Sequence, residues 1–408
     1  MSMGRKVLFS LIPVVSMLLV GECGTRLVGG EECEAIEPRA GDWETMVGDA
    51  ELLWRLEPDT LFESPAGTTR INSVGLREAL EPSQKKSSGE LRILVTGDSS
   101  IYGWGVRDNE TYAVYLEREL RGRLPGKRIE VINLGVPGYS TEQTLRLLEK
   151  VGWSYEPDLV VVSNIFSDCN IDAFQDRAAL KITSGEGSAM WNSRLYCAAY
   201  MPWIRYQAGL NQATNSILMP GIPTGANAAV SLETIDTVID LSRVPLQDYL
   251  DNLDTIRTSA EERGATMLLA PLAQEWDVGI WNVPMPPPTA EQVLPWFPYR
   301  DAQKAWAEER GIGRVYFPDV FAEFSGQKQS LFVDNMHPSP RGTAIMATAV
   351  AEHLAAHPEL LGLDAAKFRE PPAREEPRKN PGGGRGRHAD RPPGTPPGEQ
   401  QPRDGTPH

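Results

Sequence analysis

The apolar residues fall into short β-rich runs separated by longer stretches of helical periodicity. Leu91–Thr96 (LRILVT), Ile129–Asn133 (IEVIN), Leu159–Ser163 (LVVVS), Thr266–Ala270 (TMLLA) and Gly313–Phe317 (GRVYF) predict strands. Helices are predicted over Thr111–Leu124, Thr141–Val151, Leu246–Arg263, Tyr299–Glu309 and Arg341–Ala356. The first of these sets Tyr112, Tyr115, Leu116 and Leu120 on one face, and the third does the same with Leu250, Leu253, Ile256 and Ala260. The strands read as continuous apolar runs rather than as alternating ones. That pattern belongs to a parallel sheet buried on both faces, so the fold class is α/β.

Other segments break this rhythm. Residues 28–60 are acidic and Gly-rich and read as a stalk that becomes ordered around Leu52–Leu56. Thr68–Ser73 and Gly75–Arg77 predict short strands and a turn, and Glu81–Glu90 a polar linker. Two inserts, 174–241 and 275–298, are rich in aromatics, among them Trp191, Tyr196, Tyr200, Trp203, Tyr206, Trp276, Trp281 and Trp296. Such loops either line a ligand cleft or pack as a small core of their own. From Arg369 to His408 the chain has ten prolines, seven glycines and, as its apolar residues, two alanines. That composition predicts disorder. The expected boundaries are 1–27 for the leader, 28–90 for stalk and lead-in, 91–362 for the main domain and 363–408 for the tail.

The leader reads Arg5-Lys6 followed by the apolar run Val7–Val20, interrupted by Pro13. A basic flank and a short apolar run suit a secretory signal or a signal-anchor. Glu22 stands where a lipoprotein signal before Cys23 would need a small residue, and no small-x-small cleavage site is evident. An uncleaved anchor is therefore the expectation, with the rest of the chain outside the cytoplasm, periplasmic or extracellular.

A net charge of −15 argues against a nucleic-acid surface. The cysteines Cys23, Cys33, Cys169 and Cys197 form no Cys-x-x-Cys pair and have no histidine at ligand spacing, so no zinc is expected. Gly103-x-Gly105 is too short for a phosphate loop and lacks a following lysine, so no other cofactor is expected. Export permits disulfides. A Cys169–Cys197 bridge would pin the aromatic insert beside a cleft; the alternative is two buried thiols.

Candidate chemistry sits in two loops. Gly97-Asp98-Ser99 follows the first predicted core strand, at the sheet edge where open α/β folds bind ligands. Asp334-Asn335-Met336-His337 precedes the last helix. Of five histidines, His388 and His408 lie in the tail, and His353 and His357 on or beyond the last helix. His337 alone follows a strand-like run (Ser330–Val333) in a loop, stiffened by Pro338 and Pro340. Ser99 as nucleophile, His337 as general base and Asp334 as the orienting acid would make one device.

The order GDSSIYGWG (97–105), NLGVPGYST (133–141), PDLVVVSNIFSDCN (157–170) and DNMHPSPRGT (334–343) resembles the four blocks of the SGNH/GDSL hydrolase superfamily, over roughly residues 91–355. The resemblance implies a flavodoxin-like three-layer α/β/α sandwich and the same triad of Ser99, His337 and Asp334. It also implies an oxyanion hole from the N–H groups of Ser99 and Gly138. The third block departs from the family's Gly-x-Asn-Asp: Ile165 replaces the Gly and Ser167 the Asn that would be the third donor. Asn164 would point to the opposite face of a continuing strand, whereas Asn170, past the strand end, is the spare donor. Asp98 and Asp168 are expected to fix loops rather than move protons. The implied activity is hydrolysis of an ester, on a cell-envelope glycan or similar molecule. O-acyl transfer on the same fold, or weak glycan binding without turnover, are the alternatives.

Overall fold

The computed structural model describes residues 3–29, 46–64, 66–78, 81–172, 175–184, 193–203, 206, 229–278, 289–324 and 331–369. Tail residues 370–408 lie outside it, as do Cys33, Trp191, Trp281, Ser330 and residues 279–288 of the second insert.

Five parallel strands form the central sheet: β5 (Leu91–Thr96), β6 (Ile129–Asn133), β7 (Leu159–Val162), β9 (Thr266–Leu269) and β11 (Gly313–Arg314), while the two-residue strands β8 (Val230–Ser231) and β10 (Gln292–Val293) pair with each other outside it. Their spatial order is β11-β9-β7-β5-β6. Every residue of β5 and β7 is buried, as runs covered on both faces must be. One layer packs α3 (Tyr112–Arg123) against α10 (Pro340–Ala356). The other packs α4 (Thr141–Lys150) against α7 (Leu246–Glu262), and α7 against α8 (Trp296–Arg310); the short helices α5 (Asp176–Ser184) and α6 (Ile235–Asp240) come between α4 and α7 in the chain. This is the expected three-layer α/β/α sandwich. From β5 the chain turns one way to β6 and then back past β5 to β7. The crevice at that reversal, beyond the strands' carboxyl ends, is where such sheets bind ligands.

The exposed edge of β6 is blunted. Its Val131 N–H donates to Glu117 Oε2 (3.0 Å) and its Asn133 N–H to Glu78 Oε1 (2.7 Å). Side-chain carboxyl oxygens thus occupy positions a neighbouring strand would otherwise fill. Burial pushes the Glu78 carboxyl up to about 8.

Several boundaries differ from the sequence expectation. The presumed stalk is structured from Met46: β1 (Met46–Asp49) and β2 (Leu53–Leu56) form one hairpin, β3 (Leu61–Ser64) and β4 (Gly67–Arg70) another. Leu52 and Leu56 are buried in the main core, and Gln143 Nε2 of α4 ties the hairpin down by donating to the Leu52 carbonyl (2.8 Å). The expected strand Gly313–Phe317 stops at Arg314, and Phe317–Ala322 is helical (α9) with Pro318 in its first turn. Past residue 362 the chain stays packed to Arg369, whose N–H donates to the Arg123 carbonyl (2.8 Å).

The leader is helical over Met3–Leu27 (α1), with Pro13 inside it. Among the described residues no helix is long and apolar enough to cross a membrane. Glu22 has a structural use the sequence did not suggest. Its carboxylate accepts from Ser193 Oγ (2.6 Å) and from the N–H groups of Arg194 and Leu195, capping that turn of the first insert.

Candidate active site

Strand β5 ends at Thr96 and the chain enters α2 (Ser99–Tyr102) through Gly97 and Asp98. Asp98 is the N-cap, its side chain accepting from the Ser100 N–H at 3.0 Å. Burial raises its carboxyl despite that bond and the nearby His337. Ser99 therefore begins a helix, and its own N–H has no partner among the described residues.

The second loop is closed by its own backbone. Val333 N–H donates to the His337 carbonyl (2.9 Å) and Ser339 N–H to the Leu331 carbonyl (2.8 Å). Gly342, in the first turn of α10, allows this closure: a Cβ there would lie 2.2 Å from the Leu331 oxygen. Asp334 Oδ1 accepts from the N–H groups of Met336 (2.9 Å) and His337 (2.8 Å), while its Oδ2 meets His337 Nδ1 at 2.6 Å. Partial burial works against the Asp334 carboxylate. The His337 hydrogen bond and charge, with the two N–H donors, outweigh it and hold the carboxyl below its ordinary value.

The two loops meet across 238 positions of sequence: His337 Nε2 lies 2.7 Å from Ser99 Oγ. A carboxylate can only accept, so the proton of the neutral ring sits on Nδ1 and Nε2 offers its lone pair to the serine hydroxyl. His337 is 8% exposed, and the Trp104 ring lies beside it at 6.0 Å between centroids. All three residues expected to act together do stand in one hydrogen-bonded line.

The remaining sequence-predicted residues are less uniform. Gly138 lies in the loop before α4, and its N–H has no partner among the described residues. Ser167 is 6% exposed, and its hydroxyl likewise makes no hydrogen bond among them. Asn164 is committed elsewhere, with its amide donating to the Tyr139 carbonyl (3.0 Å) and its oxygen accepting from Thr144. Asn170 contributes its carbonyl to the Arg243 N–H (2.6 Å). Among the described residues no group of three or more His, Cys, Asp or Glu is placed to hold a metal. The Cys169–Cys197 bridge does not form. Cys197 is disulfide-bonded, whereas Cys169 is a free, buried thiol that donates to the Phe166 carbonyl.

Asp168 fixes a loop: its Oδ1 accepts from the N–H (2.8 Å) and hydroxyl (2.5 Å) of Thr141, at the start of α4. Burial outweighs these bonds and pushes its carboxyl up to about 7 from an ordinary 3.8. Between those values the native protein keeps a proton that the unfolded chain has released. The resulting stability is fully present below about pH 4 and is lost as pH rises through 7, by up to about 4 kcal/mol. Asp168→Asn cannot ionise and keeps the acceptor oxygen. Melting temperatures taken from pH 4 to 8 should fall more steeply for the wild type than for this variant. Parallel curves would mean that Asp168 does not titrate in that range.

Three supports of the site were not anticipated: Trp104 beside His337, and Trp54 and Arg243 beside the Gly138 loop. Trp104 lies within the GDSSIYGWG block (97–105), where the sequence makes it legible. Trp54 lay in the presumed stalk and Arg243 at the end of an insert, and neither carries a local signal.

A doubly wound parallel sheet with a Ser–His–Asp line at its switch point is an arrangement suited to serine-type hydrolysis. Residues 95–345 match the GDSL-like lipase/acylhydrolase family, and the chain belongs to that family and is an ester hydrolase of the SGNH fold. A search of the curated proteins found no match. Among solved structures, the chain resembles a G-D-S-L family protein from Desulfitobacterium hafniense DCB-2 (13% identity, 65% of this chain and 100% of that one, TM-score 0.37). It also resembles an α/β hydrolase from the metagenome of Lake Arreo, Spain (16%, 68% and 98%, 0.40). A third is an acetylxylan esterase from Geobacillus stearothermophilus (16%, 66% and 96%, 0.39).

Proposed function

We propose that this hydrolase cleaves an acyl ester of a cell-envelope glycan or related molecule through Ser99, His337 and Asp334. The observation that carries the reading is the continuous line Asp334 Oδ2–His337 Nδ1 (2.6 Å) and His337 Nε2–Ser99 Oγ (2.7 Å). Ser99 Oγ attacks the ester carbonyl as His337 Nε2 takes its proton. Asp334 holds the ring in the required tautomer and stabilises the imidazolium. The charge on the former carbonyl oxygen is met by the N–H groups of Ser99 and Gly138, which have no other partner among the described residues, and by the Ser167 hydroxyl or the Asn170 amide. His337 returns the proton to the leaving alkoxide. Water then enters, activated by the same ring, and releases the acid and Ser99. If an acceptor hydroxyl replaces water, the same acyl-enzyme makes the protein an O-acyltransferase. The envelope location rests on Arg5, Lys6 and the apolar run Val7–Val20, with the catalytic domain outside the cytoplasm.

A panel of acyl esters, read with mass spectrometry for an adduct on Ser99, tests the reading. Turnover without a Ser99 adduct would sink it. One observation favours a second reading, a glycan-binding protein with little turnover: Ser167 stands where the family carries an Asn donor. A serine hydroxyl is shorter than an amide and less fixed in aim. Ser167→Asn should raise kcat by roughly tenfold, part of the factor of about 100 to 1000 that one donor supplies, with little change in KM. Ser167→Ala should lower kcat by a smaller factor. If Ser167→Ala is silent and Asn170→Ala destroys activity, the donor is Asn170. If neither change matters and Ser99 accepts no reactive ester, the reading of binding without turnover gains.

A further inference from the structure

The Gly138 N–H can meet an oxyanion only if its peptide plane is held, and two residues from outside the four sequence blocks hold it. Pro137 and Gly138 share one peptide, whose C=O and N–H point in opposite directions in the trans form. The Trp54 indole N–H donates to that carbonyl, Pro137 O, at 3.0 Å. Fixing the oxygen on the hairpin side fixes the Gly138 N–H on the other. The next peptide is held as well: Arg243 Nη1 donates to the Gly138 carbonyl at 2.9 Å. With both flanking peptides tied, Gly138 stays at φ 76°, a left-handed conformation that suits glycine. A Cβ there would also press on Trp54 Cζ2 at 3.1 Å.

The two clamps are themselves joined. The Arg243 guanidinium lies over the Trp54 ring at 5.3 Å. It forms a buried, two-pronged ion pair with Asp176 (2.7 and 2.9 Å) and donates to Gln143 Oε1 (2.8 Å). Tyr139 closes the frame, its hydroxyl donating to the Trp54 carbonyl at 2.6 Å. The hairpin β1–β2, which precedes the family-matched span 95–345, is therefore tied into the site.

We infer that Trp54 and Arg243 are positioning residues that aim the Gly138 N–H at the developing oxyanion, the Trp54 indole N–H setting the direction of the peptide. The inference rests on the proposal that Gly138 is an oxyanion donor.

The test uses the full-length protein with Trp54 replaced by 3-benzothienylalanine, which keeps the ring's shape and lacks its N–H. If that variant fails to fold, Trp54→Phe serves. Labelling of Ser99 by a fluorophosphonate in the wild type comes first. No label and no ester turnover would overturn the triad reading and this inference with it. With a reactive Ser99, the Trp54 variant should lose about tenfold in kcat while KM stays within about twofold, because the charge it helps to meet exists only in the transition state. The melting temperature should stay close to that of wild type. Arg55→Ala, a surface change on the same hairpin, should leave kcat unaltered. An unchanged kcat in the Trp54 variant, or an equal loss in Arg55→Ala, overturns the inference.

Discussion

Ser99→Ala and His337→Ala should each lower ester turnover by about four to six orders of magnitude, and the double variant should be scarcely worse than either single one. The expectation follows from the shared proton. With the 2.7 Å contact between Ser99 Oγ and His337 Nε2, neither group has a task without the other. Once the nucleophile is gone, removing the base costs little more. What survives is the contribution of the oxyanion donors and of substrate binding, still well above the rate in water. The check is kcat/KM for all three variants on one activated ester, with folding confirmed by melting temperature. If the two losses multiply, the residues act independently and there is no triad.

Asp334→Asn should cost about 10⁴-fold in kcat with little change in fold. The carboxylate has two distinct duties: Oδ1 collects the N–H groups of Met336 and His337, while Oδ2 takes His337 Nδ1. An asparagine can keep its oxygen on the two N–H groups and so preserve the turn. Its NH₂ then faces Nδ1 and donates to it. The ring proton is driven to Nε2, where it opposes the serine hydroxyl instead of accepting from it. The loss is one of tautomer. Asp334→Ala imposes no tautomer, so it should be no worse in kcat than Asp334→Asn but should loosen the loop and lower the melting temperature. A loss of under tenfold in Asp334→Asn would show that His337 finds its orientation elsewhere.

Some of this was legible in the chain because its causes are local. The strands β5 and β6 have the predicted bounds, since β-rich runs of six and five residues, apolar except at Arg92, Thr96, Glu130 and Asn133, leave little choice of register or element. The polar groups of the two site loops are read from spacing in the same way. An Asp three residues before a His can curl onto its ring, and an Asp before a Ser can cap the helix that the Ser begins. The run Gly313–Phe317 misled because β-branched and aromatic residues mark strands in general. Pro318 in the first turn of α9 and the packing of Phe317 decided for helix.

The sequence by itself thus determined the fold class, the core strands β5, β6, β7 and β9 to within a residue, and the identity of the groups that meet at Ser99. Tertiary structure decided what holds them. Trp54 and Pro137 are 83 positions apart, and Arg243 and Gly138 are 105. Contacts at that separation impose no periodicity on either partner. Trp54 in a Gly-rich acidic stretch looks like a stray aromatic, and Arg243 after an insert looks like a surface cation. The same holds for the cysteines. Cys169 and Cys197 are plausible partners by their places in the chain, but a thiol bonds to whichever sulfur the fold brings to it. Folding leaves Cys169 buried and free. Chemistry that depends on a residue and its near neighbours can be read along the chain. Orientation, which depends on pinning both ends of a peptide from distant elements, exists only once those elements have packed.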